Sequence, residues 1–327
     1  MKNGLVFGKF MPLHEGHLSL ISFGSKNCDT LNVVLCYHQK EIIAGEHRLQ
    51  WLSKAIAKLT NVNLVSFEYD ENVLPDTSVS SVGVSNIWAN AFKKLLPQTD
   101  VVFTSEDYGV YVAKAMQIAY ICFDKNRTKV PVSGSAIRAN PFIYWDYICS
   151  EARPYFVKKI AILGSESTGK SILTERLANY YNTTYISEAG REIVEKTELC
   201  NPEDLERIAT AHAKNIIKQI SRANRLLFLD TDLNITRSYS SFLFNRDLKV
   251  TAWQEDANKS DLCLFLETDC PYVQDGTRLN KQLREKLSIS HKNALEKNLI
   301  NYIAIHGDWA DRFNKAREII NQKYFYR

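Results

Sequence analysis

The sequence predicts an α/β protein made of two consecutive doubly wound domains, each built on a parallel sheet. Three observations predict it. The chain has 327 residues, against the ~150 that one domain ordinarily takes. Short apolar runs alternate with amphipathic segments in two successive series, as strands and crossover helices do. Each series opens with a glycine-marked turn from a strand-like run into a helix-like one.

In the first series the runs GLVFGKF, LNVVLCY, VNLVSFEY, DVVFTSE and AYICFD read as strands. The segments HLSLISFGS, HRLQWLSKAIAKL, SNIWANAFKKLL and YVAKAMQIA have helical spacing. In the second series the strands are KKIAILG, TTYIS, RLLFLDTD, DLCLFLET and NYIAIHG. ILTERLANYY, PEDLERIATAHAKNIIKQISRA and LREKLSISHKNALEKNL are its helices, and Asn201-Pro202 makes a good helix start. The seam is expected at 150–158, SEARPYFVK, which gives domains at 1–152 and 158–327.

Bulk properties exclude several classes. With 41 basic and 37 acidic residues the net charge is only +4, and no basic stripe marks a nucleic-acid binder. Seven cysteines without a CxxC pair indicate neither a disulfide framework nor a zinc ribbon, and suit reduced core residues of a cytoplasmic protein. No apolar run approaches the ~20 residues of a membrane span, and the N-terminus lacks the apolar stretch of a secretion signal.

The second domain opens with Gly164-Ser165-Glu166-Ser167-Thr168-Gly169-Lys170-Ser171, a strict G-x-x-x-x-G-K-[ST] match between a strand and a helix. Glycines let successive backbone N–H groups face phosphate oxygens, and the helix N-terminus adds positive potential. Lys170 can then reach the β- and γ-phosphates of ATP, and the Ser171 hydroxyl can ligate Mg²⁺. Such a domain needs a carboxylate at another strand end, for which Asp230 and Asp232 are candidates. Asp230 would orient Mg²⁺ or accept the proton of an attacking hydroxyl. Arg278, in the DGTR segment, is a candidate to close over ATP and stabilise charge on the transferring phosphoryl group.

In the first domain Gly8-Lys9 ends a strand, and His14-Glu15-Gly16-His17 opens the following helix. The histidines are three residues apart and share a helical face, and Gly16 lets a ligand approach the backbone. Two imidazoles beside a helix N-terminus suit a triphosphate. A zinc site is the rival, and it lacks a third nearby ligand. Late in the same domain Ser133-Gly134-Ser135-Ala136-Ile137-Arg138 offers hydroxyls, backbone N–H groups and a fixed cation to the same phosphates. Early H-x-G-H and late S-x-S-x-I-R resemble the HxGH nucleotidyltransferases, in which attack on the α-phosphorus is promoted by positioning and charge neutralisation.

From GKFMPLHEGH through SEDYG, VSGSAIRANPFIYW, GSESTGKS and EAGRE to LDTD, the whole chain resembles the bifunctional nicotinamide mononucleotide adenylyltransferase and ribosylnicotinamide kinase (NadR-like) family. The resemblance implies an HxGH Rossmann-like domain followed by a P-loop kinase. The second domain would phosphorylate nicotinamide riboside, and the first would adenylylate nicotinamide mononucleotide to NAD. It implies that Lys9, His14, His17, Ser133, Ser135 and Arg138 bind ATP in the first site, and that Glu188 and Arg191 lie near the riboside in the second. Family members that repress transcription carry an N-terminal helix-turn-helix; here the first strand begins near residue 4, so DNA is not expected as a partner. Coupling to a riboside transporter and homo-oligomerisation are compatible with this reading. The alternatives are another transferase–kinase fusion, such as a coenzyme A synthase, and a nucleotide sensor with one silent site.

Overall fold

The computed structural model describes residues 1–75, 81–195, 197–273 and 280–326. It divides into two compact units, Met1–Arg153 and Pro154–Arg327. Both are parallel α/β sheets flanked by helices.

The first unit runs β1 (Asn3–Gly8), α1 (Glu15–Lys26), β2 (Thr30–Tyr37), α2 (Gly45–Ala55), β3 (Val62–Glu68), α3 (Val82–Leu95), β4 (Val101–Thr104), α4 (Tyr108–Met116), β5 (Ala119–Cys122) and α5 (Gly134–Ala139). Its strands lie in the order β3-β2-β1-β4-β5, all parallel. The order reverses between β1 and β4, and a crevice opens there at the carboxyl ends of the strands. Leu5, Val34 and Val102 from the sheet pack with Phe92 of α3 and Val112 of α4 in one buried cluster. Trp88 of α3 packs half-buried against this cluster and donates from Nε1 to the Pro75 carbonyl at 3.1 Å.

A short helical turn, α6 (Arg153–Phe156), leads into the second unit. There follow β6 (Lys158–Gly164), α7 (Lys170–Tyr180), β7 (Tyr185–Ile186), α8 (Gly190–Ile193), α9 (Pro202–Gln219), β8 (Leu226–Asp230), α10 (Leu233–Phe244), α11 (Ala252–Asn258), β9 (Leu262–Leu266), α12 (Lys281–Lys297), β10 (Ile303–Ile305) and α13 (Trp309–Tyr324). The order is β10-β9-β6-β8-β7, again parallel, so β6 is central and the turn after it sits at the middle of the sheet edge. β8 and β9 are buried along their whole length. α9 starts as its sequence requires: the Asn201 side chain accepts from Asp204 N–H, Asp204 returns the bond, and Pro202 stands at the first turn.

Periodicity alone did not mark α10, α11 and α13. The α10 segment, LNITRSYSSFLF, is rich in Ser, Thr and aromatic residues of modest helix propensity. It forms because Asp232 caps it and one face is buried. Among the described residues no helix is long and apolar enough to cross a membrane.

Phe92 is fully buried where α3 meets the first sheet, and its ring lies 4.4 Å from that of Phe7. Phe92→Ala should cost the first unit about 3–5 kcal/mol in urea unfolding. A loss under about 1 kcal/mol would show that this cluster does not hold the sheet to its helices.

Candidate functional site

In the first unit, the ends of β1 and β4 and the starts of α1 and α5 enclose a cavity of about 670 Å³. Gly8, Lys9, His14, Gly16, His17, Ser133, Ser135 and Arg138 all line it. Residues separated by more than a hundred positions therefore meet at one sheet edge.

His14 is the N-cap of α1, and its Nδ1 accepts the Gly16 N–H at 3.2 Å. Its ring stacks on that of His17 with centroids 3.6 Å apart. Burial, helped by the charge of Arg127, pushes the His14 pKa down to about 4. Burial, then the neighbouring His14 and Arg127, hold His17 well below the usual imidazole range. Both rings are thus neutral at pH 7, and the buried Nδ1 of His17 has no hydrogen-bond partner among the described residues. Across the cavity Ser133 caps α5 by accepting the Ala136 N–H at 3.1 Å. Arg138 donates to the Met11 carbonyl and to Ser135 Oγ, which draws the β1–α1 loop and α5 together.

Three further residues order this site. Arg48, fully buried, donates to the Lys9 carbonyl at 2.8 Å and pairs with Glu41, which also holds Lys9 Nζ at 2.8 Å. The ammonium of Lys9 is thereby aimed before any ligand arrives. Arg127 lines the cavity and pairs with Glu106 at 2.8 Å. None of the three could be ranked from sequence, because an arginine or glutamate on a loop or helix is usually a solvated charge.

In the second unit, Gly164 (φ 142°), Ser167 (φ 58°) and Gly169 (φ 84°) have left-handed or otherwise glycine-favouring backbone, which curls the β6–α7 loop. A Cβ at Gly169 would fall 1.8 Å from Trp309 of α13, so both conformation and space demand glycine there. The carbonyls of Glu166, Ser167 and Thr168 are held on the outside of the loop. Arg284 Nε donates to Glu166 O at 3.0 Å, and its Nη2 reaches Ser167 O at 3.4 Å. Arg312 Nη1 donates to Thr168 O at 2.8 Å. With carbonyls turned out, N–H groups are left facing in, the arrangement that cradles an anion. Lys170 Nζ donates to Ser165 O at 3.0 Å.

Beside this loop lies a cavity of about 330 Å³ whose lining includes Glu166, Ser167, Lys170, Glu188, Arg191 and Tyr239. Arg191 pairs with Glu188 at 3.3 Å and donates to Ser171 Oγ at 2.8 Å, which ties the EAGRE segment to the phosphate loop. The half-buried Tyr239 donates to Glu166 Oε1 at 3.3 Å, and Thr197 Oγ1 donates to the same oxygen at 2.8 Å. Asp230, at the end of β8, is 2% exposed, and its Oδ1 has no hydrogen-bond partner among the described residues. Burial, then the charge of Glu188, push its pKa up, while Lys170 and the Ser171 hydroxyl act the other way. A buried, orphaned carboxylate oxygen next to a serine hydroxyl fits a small hard cation that takes its remaining ligands from phosphates and water.

One expected residue, Asp232, is engaged in capping a helix. Like Asp230, Asp232 does not line the cavity of Glu188 and Arg191. Its carboxylate is spent capping α10, accepting from Asn234 N–H at 2.9 Å, Ile235 N–H at 3.1 Å and Asn234 Nδ2 at 2.9 Å. An aspartate two residues beyond a strand end is as well placed to cap the next helix as to meet a ligand, and here the orphan N–H groups take it. Arg278 lies outside the described residues.

The neutral histidines give a pH prediction. Between about pH 6.5 and 4 the unfolded chain binds a proton at residue 14 that the folded chain excludes, so stability falls as pH falls through that window. Between pH 6.5 and 4.5 the first unit should lose about 2 kcal/mol more than its His14→Asn variant, measured by denaturant unfolding. Equal losses in both proteins would mean that this imidazole is not held neutral.

Comparison with known proteins places the whole chain. A family model described as an AAA domain matches residues 159–312. The trifunctional NAD biosynthesis/regulator protein NadR of Escherichia coli (strain K12) is 32% identical over 98% of this chain and 82% of its own length. A crystal structure of a NadR protein in complex with NR superposes with a TM-score of 0.79 at 22% identity, covering 100% of this chain and 97% of that one. A second, in complex with NAD and AMP-PNP, gives 0.77 at 21% identity over 100% and 97%. Those two likenesses establish the two-domain α/β fold, and the curated relative establishes kinship: the chain is an enzyme of the NadR family of NAD biosynthesis proteins.

Proposed function

We propose that the chain makes NAD from nicotinamide riboside in two ATP-dependent steps, one in each unit. The observation that carries this reading is the pair of anion-cradling turns, each at the carboxyl edge of a central parallel strand and each opening on its own cavity. The family relationship supports the choice of substrates.

In the second unit the riboside would occupy the cavity beside Glu188 and Arg191, with the ATP phosphates on the N–H groups of residues 164–171. The riboside hydroxyl oxygen attacks the γ-phosphorus, its proton passes to Asp230, and the bond to the β-phosphate oxygen breaks. Mg²⁺, held by Ser171 and Asp230 together with the phosphates, would neutralise charge there. Lys170, freed from the Ser165 carbonyl, would follow the γ-phosphoryl group.

In the first unit a phosphate oxygen of nicotinamide mononucleotide attacks the α-phosphorus of ATP. The α–β bridging bond breaks and pyrophosphate leaves. Lys9, His14, His17, Ser133, Ser135 and Arg138 supply donors and positive charge to the triphosphate, so no covalent intermediate is needed. The neutral imidazoles serve as N–H donors, while Lys9 and Arg138 carry the charge.

Incubation with nicotinamide riboside, ATP and Mg²⁺ should yield NAD by mass spectrometry. His17→Ala should cut adenylyl transfer by on the order of a hundredfold or more and let nicotinamide mononucleotide accumulate. Lys170→Ala should do the reverse, sparing conversion of added mononucleotide to NAD. If each variant lost both activities together, the assignment of one reaction to each unit would be wrong.

A further inference from the structure

Two buried arginines brace the phosphate loop of the second unit, and they differ in how their charge is balanced. Arg312 of α13 is 1% exposed and pairs with Asp269 as well as donating to Thr168 O, Gly307 O and Glu267 O. Arg284 of α12 is 2% exposed and has no carboxylate partner among the described residues. Its bonds go to the Glu166 and Ser167 carbonyls, and its Nη2 lies 3.4 Å from Cys270 Sγ. The Tyr272 ring lies 5.7 Å from its guanidinium carbon. Arg284 shares the buried face of α12 with Leu287, Ser288, His291 and Leu295.

A buried cation without a counter-charge is unfavourable, and a well-packed apolar side chain of similar size is commonly tolerated better. The position of Arg284 supplies a reason to keep it. It holds two consecutive loop carbonyls outward, and its charge lies directly behind the N–H groups that would receive the triphosphate. We propose that Arg284 is a positioning residue for ATP in the second unit, and that the bound phosphates supply the counter-charge this guanidinium does not find among the described residues. It acts through the loop backbone and touches neither riboside nor transferred phosphoryl group. This rests on the assignment of the loop as an ATP site.

A residue with a merely structural role and one balanced by ligand differ in sign. Loss of a purely structural residue would lower the thermal midpoint of the nucleotide-free protein. Loss of one whose charge is balanced by phosphate leaves that midpoint unchanged or raises it, while the increase produced by nucleotide shrinks. Arg284→Met and Arg284→Lys are made in the full chain carrying His17→Ala, so that the first unit contributes as little as possible to nucleotide binding. Affinity for the non-hydrolysable analogue AMP-PNP with Mg²⁺ is read by calorimetry, which requires no knowledge of the phosphoryl acceptor. Arg284→Met should weaken binding ten- to hundredfold without lowering the nucleotide-free midpoint. Arg284→Lys, which keeps the charge, should recover at least half of that loss on a logarithmic scale.

In the parent background the Met variant should raise the KM for ATP in riboside phosphorylation by the same factor. It should leave the KM for riboside and the rate of adenylyl transfer within twofold. Analogue affinity within twofold of the parent in the Met variant overturns the proposal. So does a Lys variant no better than Met, or a nucleotide-free midpoint lowered in both variants. If analogue binding behaves as expected but no riboside is phosphorylated, the assigned acceptor fails and the role of Arg284 stands.

Discussion

Everything in this protein depends on one backbone constraint: at the turn from a central parallel strand into a helix, peptide N–H groups must point at the ligand and their carbonyls must be satisfied elsewhere. A parallel sheet delivers such turns to its carboxyl edge, and the change in strand order opens a crevice beside them. The structure meets the constraint twice by different means. In the first unit a buried guanidinium, Arg48, takes the Lys9 carbonyl, and Arg138 takes that of Met11. In the second, Arg284 and Arg312 take three consecutive carbonyls of the glycine-rich loop. In both cases an arginine from a distant element completes a turn that the local sequence only begins.

The electrostatics of the two sites are complementary to their chemistry. The first site keeps its two imidazoles neutral by burial and by the nearby charge of Arg127, so they can donate hydrogen bonds without adding to a crowded set of cations. The second gathers Lys170, Arg191, Arg284 and Arg312 around or behind one loop and sets Asp230 and Glu188 against them. Burial, then the charge of Glu188, push the pKa of Asp230 up. A carboxyl poised in this way can take up and give back a proton more readily than an exposed one.

The cavity beside the glycine-rich loop illustrates how one residue can belong to two structural features. Glu166 belongs to the glycine-rich loop by sequence, yet its carboxylate accepts from Thr197 and Tyr239, which line the cavity beside it. Ala189 is buried in the cluster with Leu205 and Ile208, where a small residue caps a short helix without filling the cavity beside it. Asp232 shows the reverse economy, since a carboxylate close to the site serves only to start α10.

Sequence by itself determined the fold class, all ten strands and both glycine-marked strand-to-helix turns, because these are local. A buried parallel strand must be a continuous apolar run, and a turn that wraps a phosphate must have glycine where the backbone goes left-handed. The two histidines were legible for the same reason, as neighbours on one helical turn. Only the tertiary structure decided which distant side chains complete each site. Arg284 and Arg312 do lie in register with buried positions of their helices, Leu287 and Leu295 in one case and Ala316 and Ile320 in the other. Helical spacing could therefore have placed both arginines toward the core. It could not have said that each would find loop carbonyls there, because the partner atoms lie more than a hundred residues away in the chain. Which of Asp230 and Asp232 keeps an unengaged carboxylate oxygen was likewise decided by packing: Asp232 caps the helix that begins beside it, while Asp230 Oδ1 has no hydrogen-bond partner among the described residues.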